Sequence, residues 1–537
     1  MKIESLTLSS NRIIVLLCIY FMTVLNIGLW KNVFKLSDGD MVIITTMPIF
    51  IFAMMNLVLQ LLFWPKVHRI LMPLMLLAGA GVAYAVMVQG IYFDSNQMQN
   101  VLQTDATEAK AWMSVQFIIW ILLAGILPAV CYFLVIKIKH QTWYKGLLWR
   151  LLSVVCSLAV VGILALFSYQ DYASFFRNNR GIPHQIVPTN FLGAGIKTAY
   201  NVWDASRPFE KIGEDAHRLT AQGKQKNLFV IVVGETTRAQ NWGLNPNAPK
   251  TTPQLAAMSD VINYPEASSC GTATAVSVPC MFSRMARTEY SPNTAKHQEN
   301  LMDLLKRAGL YTSWRENDSG SKGVAARIKY MDVYRTIPDA ATQCKGDLCY
   351  DAAMLEGLKA EIEAMPNDGV IVLHTNGSHG PAYFERYQKK FRVFTPTCDT
   401  NQIQNCSQQE LTNTYNNTIV GIDDMLAQTI NLLKSESNVN TALWYFSDHG
   451  ESLGENGLYL HAAPYAVAPK EQTHIPMIFW ASNSFYQAHN LSQACMKKQS
   501  AEPHSQDNLF HSVLGIMNIG TKEYKQNLDM FATCRQH

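Results

Sequence analysis

Charge is scarce in this sequence, and the shortage is uneven. Lys, Arg, Asp and Glu make up 16% of the 537 residues. No charged residue lies between Arg12 and Lys31, or across 41–64, 70–93, 111–136 and 151–170. A buried helix of a soluble protein keeps a polar face; these runs have almost none. Each is long enough to cross a hydrocarbon core of about 30 Å at roughly 1.5 Å per residue. Five transmembrane helices are therefore expected, at about 13–30, 41–64, 70–93, 112–136 and 151–170. The first run lacks a small-residue cleavage site and is followed by four more, which excludes a cleaved signal peptide. Other absences narrow the field further. A net charge of +3 is too small to argue for a nucleic-acid partner. No Cys-x-x-Cys pair exists to build a cysteine-rich metal site. No internal repeat or low-complexity tract is present.

What charge there is sets the orientation. Lys2 and Arg12 precede the first span. Lys66 and Arg69 lie between the second and third, and Lys137, Lys139, Lys145 and Arg150 between the fourth and fifth. The opposite loops hold Lys31, Lys35 and Lys110 with Asp38, Asp40, Asp94, Asp105 and Glu108. The amino terminus is thus expected inside, and everything after Gln170 outside. The cysteines agree. Cys18, Cys131 and Cys156 fall in the spans, while the other eight lie in the exported part. An even number in an oxidising compartment fits a disulfide framework. Close spacing pairs Cys270 with Cys280, Cys344 with Cys349 and Cys398 with Cys406, which leaves Cys495 with Cys534. Residues 171–225 are polar and mixed, and are expected to form a bridge of short helices at the membrane surface. A globular α/β domain is expected over 226–537.

Within that domain three apolar runs share one design. Residues 227–233 run into Gly234-Glu235-Thr236. Residues 369–373 run into His374, with Gly377-Ser378-His379-Gly380 just beyond. Residues 441–446 run into Ser447-Asp448-His449-Gly450. Short apolar runs rich in β-branched residues suit strands buried on both faces of a parallel sheet. In such sheets ligands sit beyond the carboxyl ends of the strands. Glu235, His379 and the Asp448-His449 pair would then emerge on one edge. Oxygen and imidazole donors together suit Zn²⁺ or Mn²⁺. Ser407 and Glu410 form a capping-box pattern before a helix marked by Leu411, Tyr415, Ile422, Leu426, Ile430 and Leu433. Residues 475–480 read as a further strand and 508–517 as a helix.

A second informative stretch is Cys270-Gly-Thr-Ala-Thr-Ala-Val-Ser-Val-Pro-Cys280. It is small, hydroxyl-rich and closed by the expected disulfide. A hydroxyl held at a helix start, beside a metal, is a feasible nucleophile for an anionic centre. The spacing alone does not choose between Thr272 and Thr274.

Taken in order, Gly234-Glu235-Thr236, the Cys270–Thr274 loop, Gly377-Ser-His379-Gly-Pro, Ser447-Asp448-His449-Gly-Glu-Ser and His461 in His-Ala-Ala-Pro resemble the lipid A phosphoethanolamine transferases. These include the mobilised colistin-resistance enzymes and belong to the alkaline phosphatase superfamily. The resemblance covers essentially the whole chain. It implies an N-terminal five-helix transmembrane bundle and a C-terminal α/β domain of alkaline phosphatase/sulfatase-like type, anchored in a bacterial inner membrane with the catalytic domain in the periplasm. It also implies transfer of phosphoethanolamine from a phosphatidylethanolamine donor to a phosphate of a lipid A acceptor. By the same resemblance Thr274 is the nucleophile and zinc is held by Glu235, Thr274, Asp448 and His449. Lys322, His379 and His461 are expected to contact the phosphoryl group or a weaker second zinc site. Asn100, Thr104 and Glu108, which recur every fourth residue before the fourth span, match a contact for the donor headgroup. The partners implied are lipids, and no obligate protein partner is inferred. Water as acceptor would make a phosphodiesterase on the same fold, and another envelope glycan a related phosphoethanolamine or phosphoglycerol transferase.

Overall fold

The computed structural model of the protein describes residues 6–64, 67–103, 114–139, 141–220, 223, 225–333, 343–345 and 348–535. Two compact units divide between Arg207 and Pro208.

The first unit is helical. Its elements are α1 (Ser10–Tyr20), α2 (Ile27–Leu36), α3 (Met41–Leu62), α4 (His68–Gln89), α5 (Ser95–Gln103), α6 (Val115–Val135), α7 (Trp143–Asn178) and α8 (Thr189–Ala205). Strands β1 (Leu6–Leu8) and β2 (Ile136–Ile138) pair in parallel. Among the described residues four helices, α3, α4, α6 and α7, are long and apolar enough to cross a membrane. Leu61, Ile70, Leu166 and Phe167 stand more than two-thirds exposed on the outer faces, as lipid contact requires. The remaining span departs from the expected single helix. The Ser10–Leu25 and Ile27–Leu36 segments are bent 65° to one another. The cause is Asn26, which is buried at the break. Its amide donates to the Phe21 and Val187 carbonyls at 3.0 and 2.7 Å, and its oxygen accepts from Val187 N at 2.9 Å. The side chain thus replaces helix hydrogen bonds with bonds to another segment. The fifth expected span, 151–170, lies inside the longer α7, which starts at Trp143 and runs on to Asn178 through a kink at Ser168. Position 170 is therefore not a structural break, and 171–207 of the expected bridge belongs to the first unit.

The second unit is built on a seven-stranded sheet. In chain order its strands are β3 (Lys226–Gly234), β4 (Ile262–Asn263), β5 (Tyr311–Glu316), β6 (Lys329–Asp332), β7 (Gly369–His374), β8 (Val439–Ser447) and β9 (Met477–Ala481). Their spatial order is β4-β9-β8-β3-β7-β5-β6. Strands β8, β3, β7, β5 and β6 run parallel, whereas β9 pairs antiparallel with β8 and with β4. Val230 to Val233, Val370 to Leu373 and Leu443 to Trp444 are fully buried, which explains their unbroken apolar runs. The predicted strand over 475–480 is shifted by Pro476 and begins at Met477. Helix α9 (Thr274–Met281) opens the disulfide-closed loop. Helix α10 (Gln408–Ser435) starts on the Ser407–Glu410 capping box and buries Leu411, Tyr415, Ile422, Leu426, Ile430 and Leu433. Helix α11 (Asn508–Ile516) carries Leu509, Phe510, Val513 and Leu514 into the core. The four cysteine pairs are Cys270–Cys280, Cys344–Cys349, Cys398–Cys406 and Cys495–Cys534.

Candidate active site

Because β8, β3 and β7 are adjacent and parallel, their carboxyl ends deliver Asp448, Glu235 and His374 to one edge of the sheet. The turn after β7 must pass close to Glu235. A Cβ on Gly377 would stand 2.5 Å from the Glu235 carbonyl, and the residue has φ +50°, so glycine is required there. Thr236 also takes a left-handed conformation, at φ +52°. Asp448 Oδ1 accepts its N–H at 3.1 Å, and its carbonyl accepts the Tyr415 hydroxyl at 2.6 Å. These bonds hold Glu235 in place against the cost of that backbone.

Thr274 is the first residue of α9 and faces this edge. Its hydroxyl lies 3.0 and 3.2 Å from the two Glu235 carboxylate oxygens and 3.5 Å from His449 Nε2. Thr272 is turned away and donates to the Ala463 carbonyl at 2.6 Å. Of the two hydroxyls that spacing alone does not separate, Thr274 is the one beside Glu235 and His449. His449 Nε2 is 3.4 Å from Asp448 Oδ2 and 3.7 Å from Glu235 Oε1. Its Nδ1 donates to the Gly450 carbonyl at 2.8 Å, which leaves Nε2 with a lone pair directed at the cluster. Glu235, Asp448 and His449 are all fully buried. Burial first, then the neighbouring Asp448 and Asp318 charges, hold the Glu235 carboxyl well above the usual carboxylate range. Among the described residues no Lys or Arg forms an ion pair with Glu235 or Asp448. Two buried carboxylates, a hydroxyl and an imidazole lone pair converge, and that donor set fits a tetrahedral divalent metal.

His379 and His461 lie beside this cluster. Their rings are 5.8 Å apart, and His461 is 4.3 Å from the His449 ring. Donor atoms of Glu235, His379 and His461 fall within 4.8 Å of one another. Lys322 lies in a tight turn of its own. It sits at φ +52°, and its ammonium donates to the Ser319 carbonyl and hydroxyl at 2.7 and 2.6 Å, closing its own turn rather than reaching Thr274. Asn100 is exposed on α5 of the first unit and donates to Gln97 Oε1 at 3.4 Å. Thr104 and Glu108 lie outside the described residues.

The structure adds residues that the motifs did not single out. Fully buried Glu451 accepts His461 Nδ1 at 2.7 Å and the Tyr383 hydroxyl at 2.7 Å. It stands two residues after His449, so its proximity was available to a reader of the motif. Gln506 accepts the Cys270 N–H at 2.6 Å and donates to the Ser447 and Asp448 carbonyls at 2.7 and 2.8 Å. No local pattern marks it. Glu316 accepts His374 Nδ1 at 2.9 Å. Burial pulls the His374 pKa down, but the Glu316 charge outweighs it and lifts the imidazole to about 9. Donor atoms of His374, Asp318 and Glu235 also lie within 4.8 Å of one another.

This arrangement has relatives. The sulfatase family model matches residues 227–519, and the phosphoethanolamine transferase EptA/EptB model matches 51–202. The chain is 42% identical to phosphoethanolamine transferase EptA of Salmonella typhimurium, over 97% of this chain and 96% of that one. It is 40% identical to phosphatidylethanolamine transferase Mcr-1 of Escherichia coli, over 81% and 83%. Among solved structures, the integral membrane protein lipooligosaccharide phosphoethanolamine transferase A from Neisseria meningitidis aligns with a TM-score of 0.67 and 41% identity, covering 99% of this chain and 100% of that one. The apolar helices and the exported α/β domain follow the same plan, that of a multi-pass inner-membrane protein. On identity, coverage and fold together, the chain belongs to the phosphoethanolamine transferase family of membrane proteins, within the sulfatase and alkaline phosphatase fold.

Proposed function

We propose that the protein moves phosphoethanolamine from phosphatidylethanolamine to a phosphate of lipid A through a covalent intermediate on Thr274. The observation that carries this reading is the placement of the Thr274 hydroxyl at 3.0–3.5 Å from Glu235 and His449. The donor follows a relative named for phosphatidylethanolamine, and the acceptor follows relatives named for lipooligosaccharide or lipid A.

Glu235, Thr274, Asp448 and His449 are the residues that would hold one zinc ion, and His379 and His461 a weaker second. Zinc there would lower the pKa of the Thr274 hydroxyl and offset charge on the transferring phosphoryl group. Glu235 accepts the hydroxyl hydrogen bond and aims the oxygen. In the first step Thr274 Oγ forms a bond to the donor phosphorus, the bond to the diacylglycerol oxygen breaks, and the proton that leaves Thr274 is taken up by that oxygen. His379 and His461 are placed to relay it, since His461 gives its Nδ1–H to Glu451 and so keeps at Nε2 a lone pair that can take the proton up and pass it on. In the second step an oxygen of a singly protonated lipid A phosphate attacks the same phosphorus, the bond to Thr274 breaks, and the proton given up by the acceptor restores the Thr274 hydroxyl. Lys322 would have to leave Ser319 to touch the phosphoryl group, which its turn of Gly320 and Gly323 at positive φ allows. Asn100, with Thr104 and Glu108, is assigned the ethanolamine end of the donor, since a carboxylate and neutral hydrogen-bonding groups suit an ammonium.

The deciding experiment is mass spectrometry of lipid A from cells with and without the protein. Phosphoethanolamine on a lipid A phosphate only in the expressing cells is the expected result. Release of free phosphoethanolamine with unmodified lipid A would replace transfer with hydrolysis.

A further inference from the structure

The first unit contains a cavity of about 1180 Å³ that the transfer reaction does not use. Ser10, Asn11 and Trp64 border it, with Arg69 at the start of α4. Lys137 and Lys139 enter from β2 and the residue just beyond it, and Trp143 and Arg150 from the first two turns of α7. The basic residues here are those that place these helix ends on the cytoplasmic side. Four cations from three separate segments converge on one hollow, and among the described residues no carboxylate lines it. That convergence is more than the scatter that orientation alone requires.

The walls are of two kinds. Arg150 is buried and fixed: it donates to the Gln60 carbonyl and, at 2.6 Å, to the Phe63 carbonyl, and lies 4.4 Å from the centre of the Trp64 ring. It caps the last turn of α3 and holds one side of the cavity rigid. Lys137, Lys139 and Arg69 are exposed, and among the described residues no carboxylate forms an ion pair with them. Trp143 is 80% exposed and Trp64 50%, and both have the amphipathic character of residues at the headgroup level.

We propose that this cavity binds the headgroup of an anionic phospholipid of the inner leaflet, with its acyl chains remaining in the bilayer. The phosphate meets Lys137, Lys139 and Arg69, the glycerol backbone meets Thr142 and Ser10, and the tryptophan rings flank the upper chains. The same chemistry selects the class of lipid. A zwitterionic headgroup would carry its ammonium into a hollow lined by four cations and no described acid. Phosphatidylglycerol or cardiolipin has no such ammonium. The site therefore discriminates against the kind of lipid the active site uses as donor.

The test uses the full chain in detergent, loaded from phosphatidylcholine vesicles with or without phosphatidylglycerol, and native mass spectrometry to count retained lipid. The wild type should retain phosphatidylglycerol in preference to phosphatidylcholine. Each lysine near an anionic headgroup contributes about fivefold in affinity, so Lys137→Gln with Lys139→Gln should weaken retention roughly thirtyfold. Both residues are exposed, so the pair should fold normally. Lys145→Gln removes a charge on the same side that does not line the cavity, and should leave retention unchanged. Equal retention of the two lipids, or equal loss with Lys145→Gln, would overturn the proposal. So would displacement of the lipid by inorganic phosphate at low millimolar concentration, which would mark a free-phosphate site instead.

Discussion

Replacing Glu451 by Gln tests the site at one atom. Both Glu451 oxygens accept hydrogen bonds, one from His461 Nδ1 and one from the Tyr383 hydroxyl, each at 2.7 Å. Gln has the same shape but only one acceptor. If its oxygen faces Tyr383, its amide N–H faces His461 Nδ1, and the imidazole must switch tautomer to accept it. The proton then moves to Nε2, so that the ring presents a donor where it presented a lone pair. If the oxygen faces His461, a buried hydroxyl loses its acceptor, at a cost of about 1–3 kcal/mol in stability. Either way His461 also loses the carboxylate that orients its ring. Partners of this kind around metal-site histidines are worth roughly 10- to 100-fold in affinity or activity. The expected outcome is a fall of that size in transfer rate, measured as lipid A modification by the detergent-solubilised protein. The melting temperature should drop modestly. Tyr383→Phe removes one donor and leaves the His461 bond intact, so it should lower stability by about 1 kcal/mol while sparing most of the rate. If Glu451→Gln kept the wild-type rate, or if Tyr383→Phe matched its loss, His461 would not be working through Glu451.

Thr274→Ala should abolish transfer, and intact-mass analysis with the donor alone should show phosphoethanolamine on the wild type and none on the variant. Chelation should inactivate the wild type, and zinc should restore it; full rate in a sample free of metal would refute the cofactor. Glu108→Gln should weaken use of the donor while leaving zinc content unchanged; unaltered kinetics would make Asn100, Thr104 and Glu108 plain surface. Burial holds His489 and His511 neutral, down to about pH 4, against 6.5 in the unfolded chain. The unfolded state therefore binds more protons between those values, and acidification from pH 6.5 to 4 should destabilise the catalytic unit. The loss is on the order of 3 kcal/mol per histidine, and His511→Gln should flatten the decline in melting temperature over that range.

The parallel sheet and its functional edge were legible because the signal is local. Runs such as 228–233 are apolar at every position, which only a strand buried on both faces explains, and each carries its polar group immediately after it. The capping box at Ser407 is equally local. What escaped has a different physical origin. The break at Asn26 depends on Val187, far along the chain, which no window of neighbouring residues contains. The preference for Thr274 over Thr272 depends on which hydroxyl Ala463 takes up. The extent of α7 was hidden because Trp143 to Arg150 carries charge, and a charge-free run measures hydrocarbon thickness rather than helix length.

The clamp made by Gln506 bears on how such a protein is produced. One amide ties the start of the nucleophile loop, at Cys270, to the carbonyls of Ser447 and Asp448. A chain that crosses the membrane from its amino-terminal end presents Thr274 long before residue 506 emerges. Until then nothing from this amide registers the loop against the Asp448 turn. The loop is thereby fixed against the Asp448 turn only once the last part of the catalytic unit is in place.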